Sequence, residues 1–68
     1  MLTKIRAIQQ ESFDAVLLEL PSLCDSFTCY PSEHLFIVSS ERYAGVDFTD
    51  AFNARKLNTD YISVSLII

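Results

Sequence analysis

Cys24, Cys29 and His34 stand five residues apart each time, and thiolate with imidazole is the donor set that tetrahedral zinc prefers. Common structural zinc sites use closer cysteine pairs and four ligands, so a fourth donor would have to come from Asp25, Glu33 or another chain. The same residues can be read as a nucleophile pair, with Cys29 attacking and His34 as base. That chemistry also needs an orienting third group and an oxyanion site, and neither is visible in the sequence. A chain this short has little volume for a pocket that buries a substrate. The plainer expectation is that the cysteines pack as small hydrophobes and that His34 caps or flanks the strand that follows it. No cofactor, no resident metal and no catalytic residue are expected.

Two carboxylate pairs are spaced to share a helix face, Asp47 with Asp50 and Glu11 with Asp14. Each lies near a helix start, where acids meet the positive end of the helix dipole, so capping is their expected role. With one glycine, Gly45, no glycine-rich phosphate loop can form, and no Ser/His/Asp set has a recognisable context. Eight aromatic residues are many for this length. Sheet-borne aromatics do stack on single-stranded nucleic acids, but such platforms also need cationic side chains around them. The phenylalanines are expected in the core, and Tyr30, Tyr43 and Tyr61, which have a polar end, at a surface or interface.

The charge balance agrees. Nine acidic against five basic residues give a net charge of −4, and only Arg42, Arg55 and Lys56 supply cations beyond the opening segment. Direct binding of nucleic acid through its phosphates is therefore not expected. The two cysteines allow at most one internal disulfide, and charges interrupt the apolar residues of the opening segment, so a reduced, soluble, cytoplasmic chain is expected rather than a secreted one. Ala15 to Leu18 is cut by Glu19 and Pro21, well short of the roughly 18 apolar residues of a membrane span.

No repeat, linker or low-complexity tract divides the chain, and a single domain over residues 1–68 is expected. At 100° per residue, Leu2, Ile5, Phe13, Val16, Leu17, Leu20 and Leu23 fall on one broad face, which predicts a first helix within residues 3 to 20, ended or kinked by Pro21. Residues 27 to 30 and 35 to 38 predict a strand hairpin around Pro31-Ser32-Glu33. Residues 39 to 45 are turn-like, with a strand over 42 to 48 as the alternative. A short helix carrying Phe48, Ala51 and Phe52 is predicted next, capped by Asp47 or Thr49 and closed by a left-handed Asn58. The final residues alternate cleanly and predict a strand with Ile62, Val64, Leu66 and Ile68 on one face.

The fold class is therefore α+β, a small, mainly antiparallel sheet with two helices on one face. If residues 2 to 8 form a strand, the order is βαββαβ, the split pattern of a ferredoxin-like plan. If they are helical, it is αββαβ.

In the βαββαβ order the last strand is an edge, and an apolar edge must be paired or covered. Ile62, Val64, Leu66 and Ile68 are thus expected to mediate dimerisation or strand addition, with Ile8 and Leu18 on the off-face of the first helix as further apolar surface. Tyr30, Glu41, Arg42, Tyr43 and Asp60 are candidate partner contacts in polar turns beside the sheet. The reading that follows is a non-enzymatic protein-binding regulator or inhibitor, homodimeric, such as a phage or mobile-element protein acting in the host cytoplasm. Its target would be a host enzyme, nucleic-acid-processing enzymes included. The alternative is a small-ligand or metal-binding domain on the ferredoxin-like plan.

Overall fold

The computed structural model describes residues 1–67 of the chain. The opening segment decides the topology. Leu2–Ala7 is a strand, β1, in which Thr3, Ile5 and Ala7 are buried while Leu2, Lys4 and Arg6 lie on the other face. The helical reading of residues 3 to 8 fails because β1 has a strand on each side. It pairs antiparallel with β3 (Leu35–Ser39) and with β4 (Ile62–Leu66), so its backbone groups are satisfied by two ladders rather than by an i to i+4 pattern. Tertiary pairing overrides a helix-compatible spacing of Leu2 and Ile5.

Helix α1 (Gln10–Leu23) begins two residues after β1 has left the sheet, and its buried residues Phe13, Val16, Leu20 and Leu23 recur at helical spacing. Of the two outcomes expected at Pro21, an end or a kink, the first does not occur, since Pro21 lies inside the last turn. Proline removes the donor that would reach Leu17. The turn persists because Leu20 and Leu23, on either side of it, are fully buried, and the Cys24 N–H donates to the Leu20 carbonyl at 3.1 Å.

The hairpin forms as expected. Strand β2 (Ser26–Tyr30) is joined to β3 by a 3-10 turn, Pro31–Glu33, with His34 left-handed at φ 52°. The turn-like segment is shorter than expected, since Ser39 ends β3 and Gly45 opens α2 (Gly45–Ala54), and residues 40 to 44 between them form no strand. Its N-cap is Ala44, without a side-chain cap, rather than Asp47 or Thr49. The start is fixed by packing, since a Cβ at Gly45 would lie 3.3 Å from the Leu66 backbone nitrogen. Phe48, Ala51 and Phe52 hold α2 to the sheet. The left-handed residue after α2 is Lys56, at φ 62°, not Asn58. Asn58 instead accepts a bond from the Asp60 N–H at 3.2 Å and opens a second 3-10 turn, Thr59–Tyr61.

The sheet is antiparallel throughout, in the order β2-β3-β1-β4. This is the split βαββαβ plan, with the two central strands each followed by a helix. Phe36 in β3 stacks on Phe13 of α1, ring centroids 4.6 Å apart, and Phe48 meets Phe52 within α2. These rings, with Ile5, Val16 and Val38, form the core between the sheet and the helices. Burying a phenylalanine side chain contributes about 1.5–3 kcal/mol, so a few rings supply much of the small margin available to a chain of this length.

Candidate functional site

The cysteines and His34 belong to different places. Cys24 closes α1, and its thiol donates to the Leu20 carbonyl at 3.2 Å. Burial, reinforced by the neighbouring Asp25 carboxylate, pushes that thiol above its ordinary pKa and keeps it protonated. Cys29 sits in β2 opposite Phe36 and packs against the core. His34 stands beyond the far end of β2, its ring tilted against Phe13 at 5.5 Å and its Nε2 3.2 Å from Gln10 Oε1. The spacing of five cannot bring them together, because a five-residue strand runs between the first and the last. Among the described residues, no three His, Cys, Asp or Glu side chains are grouped as a metal site requires. Both cysteines are free thiols.

The carboxylate pairs lie on the helices. Asp47 is in the first turn of α2 and Glu11 in that of α1, and Asp14 accepts a hydrogen bond from Gln10 Nε2 at 2.9 Å.

The five candidate contact residues divide between opposite ends of the sheet. Tyr30 pairs with Leu35 at one end of β3, and the loop carrying Glu41, Arg42 and Tyr43 leaves from the other. Asp60 lies in the turn before β4, on the opposite edge from Tyr30. Two of these side chains, Arg42 and Tyr43, are already engaged in local structure. The Ser40 hydroxyl accepts from the N–H groups of Arg42 and Tyr43, both at 3.1 Å. The Arg42 guanidinium donates to the Ser22 carbonyl and lies over the Tyr43 ring. Together they brace the loop between β3 and α2.

β4 is an outer strand, and hydrogen bonds at its two ends show which backbone groups it leaves free. The Ile8 N–H donates to the Tyr61 carbonyl at 2.8 Å, and the Ile67 N–H donates to the Leu2 carbonyl at 2.9 Å. Both pairs share the register that sets Ser65 against Lys4 and Ser63 against Arg6. Antiparallel pairing alternates, so Ser63 and Ser65 bond to β1, while Ile62, Val64 and Leu66 direct their N–H and C=O groups outward. The Ile62 N–H is taken by the Thr59 carbonyl, and Gly45 crowds the Leu66 nitrogen. Val64 is the open centre of this rim. Beside it Val46 is 76% exposed and Leu66 51% exposed, bordering a shallow, mainly apolar groove between α2 and β4. Ile68, the fourth member of the sequence-predicted strand face, lies outside the described residues. Leu18 is an exposed apolar residue of α1, whereas Ile8, also exposed, precedes that helix instead of lying on it.

The uncovered face of the sheet was not singled out in the sequence. Lys4 and Arg6 stand there on central β1, beside Leu35 and Ile37 of β3. The signal is present in the run Thr3-Lys4-Ile5-Arg6-Ala7, once that run is read with period two.

The chain matches no family model, no curated protein and no solved structure. Among the described residues, no helix is long and apolar enough to cross a membrane.

Proposed function

We propose that this chain is a non-enzymatic protein-binding module that associates with a second copy of itself through the outer rim of β4. The observation that carries the reading is the open rim centred on Val64, with the exposed side chains of Val46 and Leu66 beside it. Backbone groups facing outward on a sheet edge recruit another strand. A two-fold axis at Val64 would set Ile62 of one copy against Leu66 of the other, an arrangement that is self-complementary and closes after two chains. The product is one eight-stranded sheet with the helices of both copies on the same side.

A dimer of this kind acts by presenting surface. In the cell its role on this reading is to occupy a larger protein as a small regulator or inhibitor, and its free thiols suit a reducing compartment such as the cytoplasm. Light scattering coupled to size-exclusion chromatography over a dilution series tests the association. A mass twice that of the 7.7 kDa chain supports it, and a monomer at every concentration removes it.

A further inference from the structure

We infer that the uncovered face of the sheet is a docking surface for an acidic segment of another protein, held by Lys4 and Arg6. This rests on the reading of the chain as a protein-binding module but not on its dimerisation, since the face and the β4 rim are different surfaces.

The first observation is a separation of charge. None of the four strands carries a carboxylate among the described residues. The acids are all in helices, 3-10 turns and loops. A chain of net charge −4 thus has a sheet face whose charged strand side chains, among the described residues, are two cations. The second is that, among the described residues, the ion pair is Arg55 with Glu19, at 2.7 Å between the helices, and neither Lys4 nor Arg6 has a carboxylate partner there.

Geometry then selects the occupant. Lys4 and Arg6 are two apart on one strand, hence about 6.6 Å apart along it. Carboxylates spaced three or four residues apart on a helix sit at about the same separation, with Cβ atoms roughly 5–6 Å apart. Half-buried Ile37 lies opposite Lys4, and Leu35, only 9% exposed, lies opposite Arg6, so Ile37 supplies most of the aliphatic surface beside the cations. An amphipathic helix with two acids beside leucine-like residues matches both components. Nucleic acid matches less well. The central strands offer Leu35 and Ile37 where base stacking needs aromatic rings, with Tyr30 alone on outer β2. Carboxylates on the helical layer would also repel a polyanion over long range.

The test uses the full chain, labelled with nitrogen-15, and two probes: a synthetic helical peptide with glutamates four apart and leucines between them, and a single-stranded oligothymidylate. Saturable amide shifts on the uncovered face around Lys4, Arg6 and Ile37 are expected with the peptide. Affinity should fall at least tenfold in Lys4→Glu/Arg6→Glu and stay within twofold in the exposed control Lys56→Glu. Should the double reversal fail to fold, Lys4→Gln/Arg6→Gln must show the same loss in a smaller degree. Binding that maps to the helices, is unchanged in these variants, or is absent overturns the proposal, and so does tighter binding of the oligothymidylate. The β4 reading fails separately, by a monomeric mass.

Discussion

The two outer strands of the sheet, β2 and β4, are of equal length and both alternate, yet they end differently. At the start of β2 the Asp25 N–H donates to the Ser39 carbonyl at 2.9 Å, out of the register that pairs Ser26 with Ser39. The Asp25 carboxylate also accepts from the Glu41 N–H, and Pro31 follows the other end directly. An off-register bond, a charge and a proline are devices that discourage a further strand. β4 has a single acid near its start, Asp60, and at its far end runs out beside exposed Leu66, Ile67 and Val46. One edge is guarded and the other left open, which is how a small sheet can direct association to one side.

The largest effect should come from breaking β4 itself. Ser65→Pro deletes a donor that bonds to β1, and a buried ladder group left without its partner costs on the order of 1–3 kcal/mol. That is a large share of a small domain's stability, to be read as a collapse of the thermal transition. Val64→Pro, one residue away, removes only an outward donor. It should keep its circular dichroism while its mass falls to that of one chain. The matching outward position on β2 is Cys29, and Cys29→Pro should leave the association state unchanged. If it too gives a monomer, the contrast between the edges is wrong.

A smaller effect is expected where α2 meets β4. Gly45→Ala places a methyl 3.3 Å from the Leu66 nitrogen, and the helix-propensity gain of up to about 1 kcal/mol works against that crowding. We expect a net loss of roughly 0.5–1 kcal/mol in urea titration, because the neighbour is backbone. A gain in stability would show that β4 yields at this end.

The smallest effect concerns the entry to β2. The Cys24 thiol is held above its ordinary pKa of 9.0 by burial and Asp25. Below that pH both folded and unfolded chains keep the proton, and no stability is lost. As the pH rises past it the unfolded chain releases the proton first, so stability falls until the folded thiol also ionises. Denaturant midpoints should decline above pH 9 in the parent chain and less so in Cys24→Ala. Equal slopes would remove the assignment.

How much of this was legible in the sequence follows from periodicity. The alternation of Ile62, Val64 and Leu66 gave β4 directly, and the aromatic spacing of Phe48 and Phe52 gave α2. The opening residues fit either period, since Leu2 and Ile5 lie three apart while Thr3, Ile5 and Ala7 alternate. That ambiguity hid the charged face. Read as a helix, Lys4 and Arg6 point about 200° apart, and read as a strand they share a side. Helix ends were the least legible. Ala44 has no capping side chain, Lys56 takes a conformation that Asn or Gly usually fills, and Pro21 is tolerated, each because packing with distant residues decides the outcome.

β1, the earliest strand in the chain, is sandwiched in the sheet, and one of its neighbours is the latest. Pairing Thr3 with Leu66 closes almost the whole chain into a loop. During synthesis, β1 and β3 can zip together while one side of β1 stays bare until β4 leaves the ribosome. Loop-closure entropy must be met before this last ladder forms. The nascent chain therefore passes through a three-stranded stage that offers the flank of β1 to any passing strand, so mispairing at that stage, rather than the height of the final stability, should limit its yield.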